Sequence, residues 1–219
     1  MNIYMVRAAL ALALVSTAGV AGAAISPHDL EVNGTIKTPT CLVSASGNGE
    51  YDYGKINNAL IPTAGHLVLS TLTQTWTVDC GTATTYLGFR VIDNQAGSES
   101  AVSNMNFGLG SVTGYPASKV GYFAVSLSNA TVDGTSRYIL RAAPGAASGT
   151  AAATTWLDKS MSHTWSSTAN TSSVPLAGSV FAVNMAVIGN IASESLRGAP
   201  ITEGTPINGN LTLNYSFGL

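Results

Sequence analysis

Glu50 and Asp52 stand two residues apart in Gly49-Glu50-Tyr51-Asp52-Tyr53-Gly54. On an extended segment that spacing puts both carboxylates on one face, as a general acid and base pair would require. No acid–base partner supports them in the sequence, so they are expected to solvate a strand face beside Tyr51 and Tyr53. The three histidines, His28, His66 and His163, are scattered and fit neither a metal-ligand spacing nor a triad. Gly108-Leu109-Gly110 lacks the third glycine of a dinucleotide loop, and no nucleophile elbow, zinc-protease helix or phosphate-loop lysine occurs. These residues point to no catalytic site, no metal and no cofactor, and the chain is expected not to be an enzyme.

The remaining reactive side chains are Cys41 and Cys80. Their chemistry depends on compartment, and the N-terminus bears on that. Arg7 supplies a positive charge, Ala8 to Val20 is an apolar run, and Ala21-Gly22-Ala23 offers small residues for cleavage before Ala24. This is the layout of a secretory signal peptide over residues 1–23, and the run is short for a membrane span. In an oxidising compartment a pair of thiols usually becomes a disulfide. The alternative, a two-ligand metal site, needs further ligands close in space, and no histidine lies near either cysteine in sequence.

The elements that would position these groups read as β throughout. Leu72, Trp76, Val78 and Cys80 share one phase of a long run from His66; Leu87, Phe89 and Val91 share a face; so do Phe123, Val125 and Leu127. Tyr138 and Leu140 mark a strand after the Asp133-Gly134 turn, and Phe181, Val183, Met185 and Val187 alternate clearly. About eight strand candidates between Gly, Asn, Asp and Pro turns indicate a β-sandwich in residues 24–219, with no helical period. Segments near 97–118 and 142–173 resist assignment and are expected to be loop insertions. Trp156 and Trp165 fall in the second; a core anchor is the expectation for loop tryptophans, and stacking on a sugar is the alternative.

The end of the chain carries the strongest pattern. Leu211, Leu213, Tyr215, Phe217 and Leu219 alternate to the last residue. Such a strand either lies inside the protein's own sheet or is covered by another chain. Only 9 % of the residues are charged and the net charge is −2, with no basic stripe for nucleic acid or anionic lipid. A surface rich in Thr, Ser, Asn, Gly and Ala suits packing against copies or relatives.

Taken in order, several of these segments resemble subunits of chaperone–usher fimbriae, the pilins of Gram-negative bacteria, in a divergent branch. The likeness rests on Val32-Asn33-Gly34-Thr35-Ile36 leading to Cys41, on Trp76-Thr77-Val78-Asp79-Cys80, on the strand Phe181 to Val187, and on the alternating terminal strand with Tyr215. The resemblance implies an immunoglobulin-like β-sandwich lacking its final strand. A periplasmic chaperone would lend that strand, an outer-membrane usher would assemble the subunits, and other fimbrial subunits would replace the chaperone by strand addition. It further implies that Cys41–Cys80 pins the first strand to the second. Leu211, Leu213, Tyr215, Phe217 and Leu219 would line the groove, and Phe181, Val183, Met185 and Val187 its inner face. Ile25, Leu30 and Val32 would belong to a donor segment. Localisation follows as export to the periplasm and then a surface fimbrium supporting adhesion, with a host glycan or protein receptor as a further partner.

Two departures stand out. Gly218 occupies the penultimate position where common pilins carry an aromatic, and only Ala24 to Asp29, with Pro27 among them, precede the first strand. A subunit that accepts a strand without donating a full one, as at a fibre tip, is one reading of that short segment. The alternatives for the whole chain are an outer-membrane β-barrel, whose last strand also alternates, and a tip adhesin or carbohydrate-binding module.

Overall fold

The computed structural model describes residues 38–201 and 204–217. The expected signal peptide, the candidate donor residues Ile25, Leu30 and Val32, and Leu219 lie outside the described residues. Alternation of apolar and polar side chains becomes alternation of buried and exposed faces along the longer strands, as a half-buried pleated strand requires. In chain order the first strands are β1 (Leu42–Ala45), β2 (His66–Val68), β3 (Leu72–Asp79), β4 (Thr85–Asp93), β5 (Phe107–Gly108), β6 (Ser111–Val112), β7 (Tyr115–Lys119) and β8 (Gly121–Val132). There follow β9 (Thr135–Ser136), β10 (Tyr138–Ala142), β11 (Thr150–Ala152), β12 (Thr154–Trp156), β13 (Ser162–Ser166), β14 (Ala177–Gly178) and β15 (Val180–Ala192). A short helix α1 (Glu194–Arg197) then leads to β16 (Leu211–Phe217).

Two antiparallel sheets make the layers of a β-sandwich. The eight-stranded sheet runs β1-β3-β15-β8-β12, with β2, β5 and β9 attached at its margins. The six-stranded sheet runs β11-β10-β13-β4-β14, with β16 also paired to β4. Val78, Phe123, Leu127, Phe181 and Val183 of the first sheet meet Leu87, Phe89, Val91, Ile139 and Trp165 of the second in one buried cluster. The residues from β3, β4, β8 and β15 are the in-phase residues of the sequence pattern; β10 differs, because Ile139 enters this cluster while Leu140 and Tyr138 pack in a second one on the other face, and Trp165 comes from a segment expected to be loop.

Several elements differ from the sequence expectation, among them residues 51–53, which form no strand. The run from His66 to Cys80 is two strands, because β2 pairs with β15 at Asn190–Ala192 whereas β3 pairs with it at Val180–Val187. The segments near 97–118 and 142–173 are not bare loops: they contain β5, β6 and the start of β7, and β11, β12 and β13. Their strands are two to five residues long and built on Ser, Thr, Gly and Ala, which leaves too little apolar alternation to read. Helix α1, four residues long, is too brief for a helical period to register.

Cys41 and Cys80 form a disulfide with Cα atoms 4.0 Å apart. The bond closes the end of the β1–β3 pair, where Leu42 faces Asp79. For a separation of 39 residues the chain-entropy model gives a stabilisation of about 4 kcal/mol.

His163 of β13 is fully buried and stacks on Phe89 with ring centroids 5.4 Å apart. Its Nε2 accepts a hydrogen bond from the Asp158 N–H at 3.3 Å. Burial pushes its pKa down to about 4. An unfolded chain protonates near pH 6.5, so the unfolded state takes up this proton first. The stability due to neutral His163 is complete above about pH 6.5 and is lost as the pH falls toward 4, by about 3 kcal/mol in all. Urea unfolding at pH 7.5 and pH 5 should therefore show a marked drop in midpoint. His163→Gln should flatten that drop even though it lowers stability at neutral pH; an equal drop in the variant would refute the assignment.

Candidate functional site

The register of β16 decides which of its backbone groups are satisfied. β16 lies antiparallel to β4, with Leu211 opposite Asp93 and Phe217 opposite Leu87. The Asn94 N–H donates to the Asn210 carbonyl at 3.0 Å, which sets the alternation of the ladder. Residues 212, 214 and 216 continue the bonds to β4, so the N–H and C=O groups of Leu211, Leu213, Tyr215 and Phe217 point to the opposite edge. Among the described residues no strand pairs with that edge. The residues with outward-aimed backbone are the same ones whose side chains alternate apolar.

Facing this edge is a segment, residues 50–56, that follows the turn at residues 46–49 and is not a strand. Its backbone from Tyr51 to Ile56 makes no backbone hydrogen bond among the described residues. Side chains hold it instead. Gln74 Oε1 accepts from the Gly47 and Gly49 N–H groups at 3.0 and 3.1 Å, and its amide donates to the Glu50 carbonyl. The Tyr51 hydroxyl donates to the Met185 carbonyl at 3.1 Å and accepts from Trp76 Nε1–H at 3.0 Å. The Tyr53 hydroxyl donates to the Val187 carbonyl at 2.9 Å and accepts from the Gly189 N–H at 3.0 Å. That last pair fills the break where β15 changes partner from β3 to β2. Burial raises the pKa of both tyrosines, which keeps the donating protons in place.

Between the two margins runs a cleft of two lobes. One, of about 600 Å³, has Leu109, Phe123, Val125, Leu157, Met185 and Val187 in its floor and Leu211 and Leu213 in its wall. The other, of about 690 Å³, has Val120, Ile191, Ile61 and Ile201. Tyr51, Asp52, Tyr53 and Ile207 line both, so the lobes adjoin. Gly209 brings the second margin down onto the floor: a Cβ there would lie 2.7 Å from the Phe123 ring. The floor belongs to the sandwich core, and its residues are 0–7 % exposed, so the cleft is a narrow one over a covered core.

The expected site residues divide between cleft and core. Leu211 and Leu213 line the cleft. Tyr215 packs on Phe89, ring centroids 5.6 Å apart, and burial pushes its hydroxyl pKa up to about 12. Phe217 is 42 % exposed at the far end of the strand. Of the β15 residues, Met185 and Val187 reach the cleft. Phe181 is core, 5.1 Å from Trp165, and Val183 is core beside it. Trp165 is buried with its Nε1–H donating to the Ala182 carbonyl at 3.0 Å, the anchor role expected of it, whereas Trp156 is 41 % exposed. Glu50 and Asp52 are exposed on the cleft rim, and Asp52 caps the Gly54 N–H at 2.7 Å. Sequence reasoning missed the floor residues Leu109, Val120 and Leu157 and the margin role of Tyr51 and Tyr53; the Tyr-x-Tyr spacing was the available signal.

The arrangement is an unpaired ladder edge, among the described residues, beside an apolar cleft, and its chemistry is that of backbone pairing and apolar packing. Among the described residues no group of three His, Cys, Asp or Glu could hold a metal. Comparison with protein-family models and with curated proteins returned no match.

If the tyrosine tethers position the first margin, Tyr53→Phe leaves the Val187 carbonyl and Gly189 amide without their partner. The expected cost is about 1–3 kcal/mol in chemical unfolding. Lys55→Ala, in the same segment with an exposed side chain, should cost a few tenths at most; equal effects of the two would show that the tether carries no weight.

Proposed function

We propose that this protein is a strand-accepting structural subunit of a bacterial surface fimbria, of the chaperone–usher type, with an immunoglobulin-like sandwich left open for a strand from another chain. The observation that carries the reading is the coincidence of an unpaired β16 edge with an apolar cleft beside it. An unpaired edge beside an apolar cleft is what strand addition fills: the incoming backbone pairs with Leu211, Leu213, Tyr215 and Phe217, and its alternate side chains enter the cleft. The disulfide suits export to an oxidising compartment, where a signal peptide over residues 1–23 would deliver the chain. The partners on this reading are a periplasmic chaperone, an outer-membrane usher and neighbouring subunits. A closed outer-membrane barrel has no edges, whereas both sheets here end in edge strands among the described residues.

A synthetic peptide of alternating apolar and polar residues should bind the exported protein and raise its melting temperature. At a hundredfold excess over its dissociation constant the added stability is about 2.7 kcal/mol. Leu213→Asp should abolish binding, and deletion of residues 211–219 should abolish periplasmic accumulation. A purified monomer that is fully stable, binds no such peptide and tolerates that deletion overturns the proposal.

A further inference from the structure

Lys159 is the one lysine that ion pairs place against carboxylates among the described residues: its Nζ lies 3.2 Å from Glu99 Oε1 and 3.8 Å from Asp93 Oδ2. The three side chains come from separate stretches of chain. Asp93 ends β4, Glu99 lies in the connection to β5, and Lys159 lies between β12 and β13. The Asp93 side chain is 1 % exposed, that of Glu99 8 % and that of Lys159 22 %. The Phe107 ring flanks the ammonium, with its centroid 5.5 Å away. The Lys159 N–H donates to the Asn104 carbonyl at 2.8 Å, which anchors the backbone that carries the amine.

The surroundings suit attack of an amine on a carboxyl carbon. The Lys159 ammonium donates to Glu99 Oε1 and, at 2.7 Å, to the Asn106 carbonyl, while its approach to Asp93 is too long for a hydrogen bond. Glu99 is held in turn: its Oε2 accepts from the Gly97 N–H at 2.7 Å, and Lys119 donates to its backbone carbonyl at 3.1 Å. The Gln95 and Gly108 N–H groups donate to Asp93 Oδ1 and Oδ2 at 2.9 and 3.0 Å. Two such donors polarise the carboxyl and stabilise the charge that builds on its oxygens under attack. Gly108 permits the close approach, since a Cβ there would lie 2.2 Å from the Gln95 carbonyl oxygen. Burial supplies the drive: charges held out of water are costly, and a neutral amide whose oxygen keeps a hydrogen bond is far less so. The remaining ion pair among the described residues, Arg141–Asp158 at 3.9 Å, offers no nucleophile, because a guanidinium keeps its proton.

We propose that Lys159 and Asp93 condense into an intramolecular amide, with Glu99 as the proton carrier. Glu99 takes a proton from the ammonium, and the freed amine attacks Asp93 Cγ. The C–N bond forms, the tetrahedral centre collapses, and one C–O bond breaks. Of the three ammonium protons one stays on the amide nitrogen and two leave with the oxygen as water. The first of those two travels by way of Glu99, which returns to its carboxylate. No oxidant or other reactant enters. The link joins the end of β4, where Asp93 faces Leu211 at the start of β16, to the connection between β12 and β13. It does not depend on strand acceptance at the cleft.

The test is mass spectrometry of the purified protein, reduced and denatured. The mass gap between wild type and Lys159→Arg should exceed the lysine-to-arginine replacement by one water. Tryptic digestion of wild type should yield a branched peptide joining the Asp93 and Lys159 segments, with no cleavage after Lys159. Asp93→Ala should show no water loss. Glu99→Gln should slow formation by roughly a hundredfold and leave freshly made protein mostly unlinked. The branched peptide is read on wild type alone, so the test stands even where a variant fails to fold. Leu213→Asp, which should block strand binding, should leave the link intact, so failure here is distinct from failure of the cleft. Wild type at its unmodified mass would reduce the three groups to an ion cluster and overturn the proposal. So would a water loss that maps to other residues or survives in Lys159→Arg, or full linkage in Glu99→Gln.

Discussion

Everything distinctive in this sandwich follows from the parity of one ladder. β16 satisfies half of its backbone against β4, and antiparallel geometry turns the other half outward at the same residues whose side chains face the core. Backbone demand and apolar demand therefore fall on one edge. Had the register slipped by one residue, the alternating side chains would face solvent while the opposite set of amides sought a partner. A single inserted strand can then meet both demands at once. That convergence, more than the cleft volume, is what makes strand capture the economical reading.

The opposite margin is built on another principle. Residues 51–56 run along the cleft and make no backbone–backbone hydrogen bond among the described residues. Tyr51 and Tyr53 tether them with side-chain hydrogen bonds to β15, and Gln74 of β3 holds the preceding turn at Gly47, Gly49 and Glu50. Each tether is a net contribution of about 1 kcal/mol, far below what a continuous ladder supplies. The two margins thus differ in stiffness: β16 is fixed along its whole length by β4, and the facing segment is held at a few points. An incoming strand would find one firm edge to register against and one that can adjust to its side chains.

Much of this was readable before the structure, for a physical reason. Long strands buried on one face write a period of two into the sequence, and β8, β15 and β16 show it in Phe123 to Leu127, Phe181 to Val187 and Leu211 to Phe217. Short strands on neighbouring Ser, Thr and Ala do not, so β11 to β13 read as loop until the ladders placed them. The cleft was legible at its wall and not in its floor. Leu109 and Leu157 lie in short connections whose position depends on folds of chain far away, a relation no local pattern carries. Phe181 and Val183 share the phase of Met185 and Val187, and periodicity cannot tell which part of a strand faces a cleft and which faces a filled core.

β16 takes its position from β4, and both ends of β4 are fixed. At its start the disulfide ties β1 to the residue after β3, five residues before β4 begins. At its far end Asp93, whose side chain is almost wholly buried, accepts from the Gln95 and Gly108 N–H groups at 2.9 and 3.0 Å and lies 3.8 Å from Lys159 Nζ. Lys159 in turn bonds Glu99 at 3.2 Å and the Asn106 carbonyl at 2.7 Å, with Phe107 beneath it. A buried ionic group of this kind adds little net stability over an apolar equivalent, but removing one member strands the others. It therefore acts as a positional lock on the end of β4 opposite Leu211, where β16 begins. The strand that carries the unpaired edge is thus referenced to fixed points at both of its partner's ends.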